Sequence, residues 1–551
     1  MQDFIYIKND FLIPLSDEIQ ILSACNDKEV FICNDKNQKA KIYAPEINFY
    51  LKNSQDETLQ KSKNVLKLYE ARASVYELGL DLEQKKEVSN KILAVDLEQA
   101  QIEFLKENDF KVISLKNEEI ISVFGSIGEL CAIVKNKDEE IELDFDILLF
   151  KNSEIRKDFT RQSGCYNVLN FKNNEQMLSF LQEKTPNYTF KTYLTYNPKL
   201  CQYHERRSEH CAKCAEICPT TAILKDDEKK HLEFSQIDCI DCGSCVSVCP
   251  SGSLDYAPMP RNSFLKLCEI YQNSKILLIP QKMLLESLNL ALPKGVLPLI
   301  IESKNFLSAL HFLTLLQSSG ANLVFYTDFI SPELSEAVGF LNTLFEKKFQ
   351  KQAIFIAKDE YELKTALEKQ EFIENLSFNL QENLEFTREN FAKRVKHIVA
   401  NDDFGVIKSG EWLRYGQVEI NSDTCTLCLS CVGACNVGAL IADAKENALK
   451  FNPSLCTTCG YCELSCAEKD TLKLIRSGFE LKASYFEYKT MAKDELFACV
   501  ECGKEFATKK AVEKIANLMK TRFNGDENKI KALYCCSDCK AKIMVKAMGF
   551  T

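Results

Sequence analysis

Eight cysteines between residues 425 and 466 constrain this chain more than any other feature. Cys425, Cys428, Cys431 and Cys435 are followed by Cys456, Cys459, Cys462 and Cys466, so C-x2-C-x2-C-x3-C is written twice. This is the run that holds two [4Fe–4S] clusters. Three thiolates two residues apart grip three corners of one cubane, and the fourth turns to its neighbour. The crossed rule groups Cys425, Cys428 and Cys431 with Cys466, and Cys456, Cys459 and Cys462 with Cys435. Structural or zinc-binding thiols are the plainer reading, but zinc sites seldom use this run twice. Asn436 and Ala467 stand where a proline commonly follows the fourth cysteine. That position shapes a turn and supplies no ligand.

An earlier stretch carries the same pattern. Cys239, Cys242, Cys245, Cys249 and Pro250 complete one run, whereas Cys211, Cys214, Cys218 and Pro219 lack the first cysteine. The step from Cys218 to Cys239 equals that from Cys435 to Cys456, 21 residues, so the copies are one repeated module. Cys201 is the expected missing ligand, reaching in across an inserted loop from Gln202 to His210. Ser208, His204 and His210 are its rivals, and a thiolate is the preferred cluster ligand.

The rest of the chain sets bounds. At 551 residues, 46% apolar and 27% charged, it is long enough for several soluble domains. A net charge of −10 argues against nucleic acid and fits a carrier that meets basic docking surfaces. The 26 cysteines sit in metal spacings rather than in a small secreted framework. The start, Met1 to Phe4, lacks the basic region of a signal peptide, and no apolar run approaches ~18 residues. A reducing, cytoplasmic setting without a membrane span is expected.

Residues 1–88 read as a small mixed domain with strands at Phe4–Ile7, Ile19–Leu22, Val30–Ile32 and Lys41–Tyr43 and a helix near Thr58–Tyr69. Cys25 and Cys33 are expected in its core. Residues 89–198 read as α/β, with strands at Ile92–Val95, Val112–Leu115, Leu130–Val134 and Ile147–Phe150 and helices at Leu97–Asn108 and Glu175–Gln182. Gly125 to Gly128 is no dinucleotide fingerprint, and Cys165 is expected to be a buried thiol. Residues 199–260 form the first cluster module, with a hairpin of Ala222–Leu224 and Leu232–Phe234 that leaves His231 facing solvent.

Residues 261–370 return to α/β. Short strands at Lys275–Ile279, Leu297–Ile301, Asn322–Tyr326 and Ala353–Ile356 alternate with helices at Lys282–Leu290, Ser303–Gln317 and Pro332–Lys347, the last capped by Ser331. Such a sheet binds nucleotides in many proteins, but no glycine-rich phosphate motif occurs. Residues 371–412 read as a charged helical linker and 413–478 as the second module, with a hairpin of Ala439–Ile441 and Ala448–Phe451. The tail, 479–551, carries Cys499, Cys502, Cys536 and Cys539, two C-x2-C pairs that make a four-cysteine site with a helix over 508–520 between them. Structural Zn²⁺ is the simplest occupant and rubredoxin-like iron the alternative; no position is left open for hydrolysis. Cys535 is the neighbour that the spacing passes over.

Several stretches together resemble a known family. They are HCAKCAEICPTTAI (210–223) with the early Cys201, CTLCLSCVGACNVGAL (425–440), CTTCGYCELSC (456–466), CVECGKEFATKKA (499–511) and YCCSDCK (534–540). From about residue 150 onward the chain is similar to bacterial cytoplasmic polyferredoxins often encoded beside formate dehydrogenase genes. The resemblance supports Cys201 as a ligand, and Asn436 and Ala467 depart from the family's usual Cys-Pro. It implies electron transfer, a redox protein partner and a link to formate dehydrogenase.

The expected fold is α/β plus α+β and multidomain. Parallel-sheet α/β domains alternate with two ferredoxin-like dicluster modules, before a zinc-ribbon-like tail. The expected cofactors are four [4Fe–4S] clusters and one zinc or iron in the tail. The five histidines form no metal or triad pattern, so an electron carrier is expected ahead of two alternatives. These are a flavin- or NAD(P)-dependent oxidoreductase subunit and a maturation factor for formate dehydrogenase.

Overall fold

The computed structural model describes every residue except 1–3, 9–12, 137–138, 152–155, 207–210, 284–287, 381–384 and 548–551. Ser208, His210 and the middle of the expected Lys282–Leu290 helix therefore lie outside the described residues. The described flanks of that segment are turn and coil.

Two four-stranded parallel sheets are built around strands that run continuously apolar, among them Ile147–Phe150, Lys275–Pro280 and Val296–Ile301, as strands buried on both faces require. In one, the order is Val296–Ile301, Lys275–Pro280, Leu323–Tyr326, Ile354–Ala357. In the other it is Cys165–Asn167, Ile147–Phe150, Lys91–Val95, Lys111–Leu115. Leu130–Val134 belongs to neither. It lies in the central strand of an antiparallel meander, Ile120–Ser126, Glu129–Asn136 and Glu139–Phe145, whose first turn uses Gly128 at positive φ. Cys165 packs half-buried against the core beneath this meander, and burial pushes its thiol well up.

The first 78 residues are not independent of the rest. Their sheet is parallel, in the order Ile19–Leu22, Phe4–Ile7, Val30–Cys33, Ala40–Tyr43. The helices that follow, Pro45–Asn53 and Thr58–Leu78, pack on strand Val296–Ile301 and helix Arg261–Ile270. Both helices share one core with the 261–370 sheet. Cys33 is buried as expected, but Cys25 is exposed.

The 371–412 stretch corrects a second expectation. Helix Thr387–Val399 carries most of its charges on its exposed side and two arginines, Arg388 and Arg394, on its buried side. It buries Phe391, Val395, Ile398 and Val399 against helix Ala309–Ser319, so it is part of the core rather than a linker. Helix Pro332–Phe349 starts as expected with proline in its first turn, but the Ser331 hydroxyl makes no cap hydrogen bond. The second module is fastened to this core by Phe479, whose buried ring meets Phe340, Phe391, Tyr415 and Tyr485.

The two cysteine modules repeat in structure as in sequence. Each has an antiparallel strand pair, Leu194–Tyr196 with Leu254–Tyr256 and Gln417–Ile420 with Leu472–Ile475. Each also has a hairpin, Ile223–Asp226 with His231–Phe234 and Leu440–Asp443 with Ala448–Phe451. Both hairpins turn on an aspartate: Asp226 accepts from the N–H groups of Glu228 and Lys229, and Asp443 from those of Lys445 and Glu446. No described helix is long and apolar enough to cross a membrane.

Candidate metal centres

The four cysteine loops are built by backbone conformations that side chains resist. Asp241, Leu427 and Thr458, one residue before the second cysteine, have φ of 56°, 52° and 54°. Ala212, Gly243, Leu429 and Gly460, one residue after it, have φ of 71°, 76°, 60° and 80°. Left-handed backbone costs roughly 1–2 kcal/mol at a non-glycine residue, so the repeat marks a shape held for a purpose. Glycine is needed at 243, where a Cβ would come within 2.8 Å of the Phe306 nitrogen. The turns aim N–H groups at sulfur: the Thr458 N–H donates to Cys456 Sγ at 3.3 Å and the Tyr203 N–H to Cys201 Sγ at 3.4 Å.

The crossed grouping is the one the fold assembles. Cys201, Cys211, Cys214 and Cys249 line one cavity, and Cys425, Cys428, Cys431 and Cys466 line another. Cys218 lies close enough to Cys239 and Cys245 to act on their ionisation, as Cys435 does on Cys456, Cys459 and Cys462. Burial, and then the neighbouring sulfurs, push the Cys211 and Cys431 thiols up to about 12. Buried thiols crowded four together ionise when a cationic iron centre lies between them, so these quartets fit [4Fe–4S] cubanes in donor type, number and grouping.

Cys201 is brought to the first cavity by a register that can be counted. It lies five residues after strand Leu194–Tyr196, and Cys425 lies five after strand Gln417–Ile420. The Asn197 N–H bonds Ser253 and the Asn421 N–H bonds Thr471, both at 2.8 Å, so the two strands end alike. The approach also repeats in sequence: Asn197-Pro198-Lys199-Leu200-Cys201 matches Asn452-Pro453-Ser454-Leu455-Cys456. Both form a 3₁₀ turn with the asparagine side chain accepting from the second residue on, at 3.1 Å. That signal was present in the sequence and was missed. The rival His204 has its Nδ1 3.0 Å from Nδ1 of His231 and its Nε2 3.7 Å from Glu205. His231 is thus half-buried against His204 rather than solvent-facing.

The inserted loop explains Asn436. Gln202, 4% exposed, donates to Asn436 Oδ1 at 2.5 Å and accepts from Thr457 Oγ1 at 3.0 Å. Asn436 in turn donates to the Cys201 carbonyl at 3.3 Å, and Arg206 donates to the Ala434 carbonyl at 3.1 Å. A proline at 436 would have neither group. The Cys201 quartet therefore meets the Cys456 quartet at the module junction, beside a cleft of about 590 Å³ lined by His204, Arg206 and Tyr461. Gln202→Ala should leave two buried polar groups unpaired, costing about 1–3 kcal/mol. The check is a lower denaturant midpoint for loss of visible absorbance.

In the tail, the sulfurs of Cys499, Cys502, Cys536 and Cys539 all lie within 4.8 Å of one another. Burial opposes ionisation of Cys499, but N–H groups of Cys536, Cys502 and Glu501 outweigh it and bring the thiol down to about 6. Cys535 lies beside Cys499 but outside the four-sulfur group, and its thiol donates to the Lys531 carbonyl. The first pair sits on a hairpin, Leu496–Ala498 with Glu505–Thr508, but the second pair sits at the start of helix Ser537–Ala547. The ribbon expectation thus fits the first half only. The site could bind a metal ion.

These loops define an iron–sulfur protein of electron transfer. Residues 207–253 match a family described as 4Fe-4S dicluster domain, and residues 417–467 match a second family of the same description. The chain is 31% identical over 58 residues to Ferredoxin 7Fe of Hydrogenibacillus schlegelii, covering 10% of this chain and 72% of that protein. The chain belongs to the dicluster ferredoxin family and carries two such modules.

Proposed function

We propose that the chain is a polyferredoxin holding four [4Fe–4S] clusters in the crossed quartets, with one zinc in the tail. In this reading it relays electrons for a cytoplasmic dehydrogenase such as formate dehydrogenase. Bound cubanes supply reversible one-electron chemistry. The protein's own part is to fix their order: Cys425 quartet, Cys456 quartet, Cys201 quartet, Cys239 quartet. The observation that carries the reading is Cys201, set in the same register as Cys425 and joined through Asn436 to the loop of Cys435. The dehydrogenase link rests on the family resemblance.

The flavin or NAD(P) alternative is weakened by what occupies the carboxyl edge of the 261–370 sheet, where such ligands bind. Ser303 Oγ donates to the Cys242 carbonyl at 2.8 Å. Lys304 Nζ reaches Thr327 Oγ1 and Asp328 Oδ1, both at 2.7 Å. The module and this lysine take up part of that edge. The test is anaerobic mixing with formate and formate dehydrogenase: bleaching of the visible absorbance is expected only with both present. Released flavin, or bleaching by NADH alone, would overturn the carrier reading. The maturation reading predicts instead a metal-free dehydrogenase in a strain lacking this chain.

A further inference from the structure

Buried charges are distributed unevenly along the four quartets. Arg388 is 5% exposed, donates to the Arg414 carbonyl at 3.1 Å, lies 4.2 Å from the Tyr415 ring and leaves Nη1 without a partner among the described residues. No carboxylate pairs with it among the described residues. A buried charge left alone costs several kcal/mol unless something opposite faces it. Arg388 shares a cavity wall with Cys249 of one inner quartet and lies within electrostatic reach of Cys456 of the other. Arg206 flanks the same junction, its guanidinium 5.3 Å from the Tyr461 ring and within reach of Cys459. Arg414 lies within reach of Cys211.

The Cys239 quartet has the opposite neighbour. Glu333 is 5% exposed, neither carboxylate oxygen has a hydrogen-bond partner, and it lies within reach of Cys242. It stands in the first turn of the 18-residue helix Pro332–Phe349, which packs on the Ser244–Ser247 turn of that quartet's loop. A cubane with four thiolates is anionic, and an added electron makes it more so. A nearby cation therefore favours reduction and a nearby anion opposes it.

We propose that the module junction is an electron well: Arg388, with Arg206 and Arg414, holds electrons on the two inner clusters, and Glu333 makes the step to the Cys239 cluster uphill. This rests on the four-cluster reading. Each cluster takes one electron from a one-electron protein donor, and no bond is made or broken. The well lets the chain store electrons between the modules and release them outward only when an acceptor draws them.

The test is an EPR-monitored redox titration of the full-length anaerobic protein, after its iron has been counted. Arg388→Gln should move the midpoint of an inner cluster to a more negative value, about tenfold in the reduction equilibrium or 59 mV, and Arg388→Lys should restore it. Glu333→Gln should move the lowest-potential cluster upward. If Arg388→Gln loses iron, Arg206→Gln on the half-buried flank reads the same downward shift. Full iron with unchanged midpoints in Arg388→Gln, or in Arg206→Gln where that stands in, would overturn the well and leave the four clusters standing. Low iron in the wild type would instead overturn the cluster reading on which the well rests.

Discussion

Cys201→Ala should remove one cubane, about four of about sixteen irons, while His204→Ala and Ser208→Ala leave the count unchanged. The size of the effect follows from how a cubane is held: with one corner unligated in a quartet that already spans an inserted loop, the cluster is lost rather than loosened. Three observations support Cys201 as the fourth member of that quartet. It lines the cavity of Cys211, Cys214 and Cys249. It lies as far from its strand as Cys425 does from its own. Its sulfur accepts an N–H from two residues on, as Cys456 does. Iron and acid-labile sulfide per chain decide the matter, and unchanged iron in Cys201→Ala refutes the assignment.

Cys499→Ala should release the tail metal and unfold residues 496–547. Structural zinc in small sites binds with about 10–16 kcal/mol, far more than the tail's small core supplies. That core is Cys499, Cys535 and Cys536 with Phe506, Cys539 and Ile543 around them, and a few further buried side chains, Val512, Ala516, Ala532 and Leu533. The tail leans on the second module through Thr508 to the Thr426 carbonyl, Lys510 to the Ser422 carbonyl and Lys514 to Glu468. The Cys425 cluster should therefore keep its iron under anaerobic conditions but become more sensitive to oxygen. Limited proteolysis with metal analysis is the check; a protease-resistant tail in the variant would contradict it.

The sequence was most legible where one physical demand acted alone. Strands Phe4–Ile7 and Ile147–Phe150 fall where their apolar runs lie, because central parallel strands buried on both faces admit little else. The cysteine groupings were legible because a cubane dictates their spacing. What stayed hidden depends on contacts between distant parts. Helix Thr387–Val399 reads as a linker because its charges mask a buried stripe. Asn436 reads as a departure from Cys-Pro, yet its purpose is a partner 234 residues away in sequence, Gln202. Arg388 looks like any exposed cation of a helix until its burial and its missing partner are visible.

The most direct measurement is iron and acid-labile sulfide in anaerobically purified full-length protein, read with EPR after full reduction. About sixteen irons per chain in four interacting cubanes is the predicted result. Colourless protein, or zinc without iron, would contradict the account.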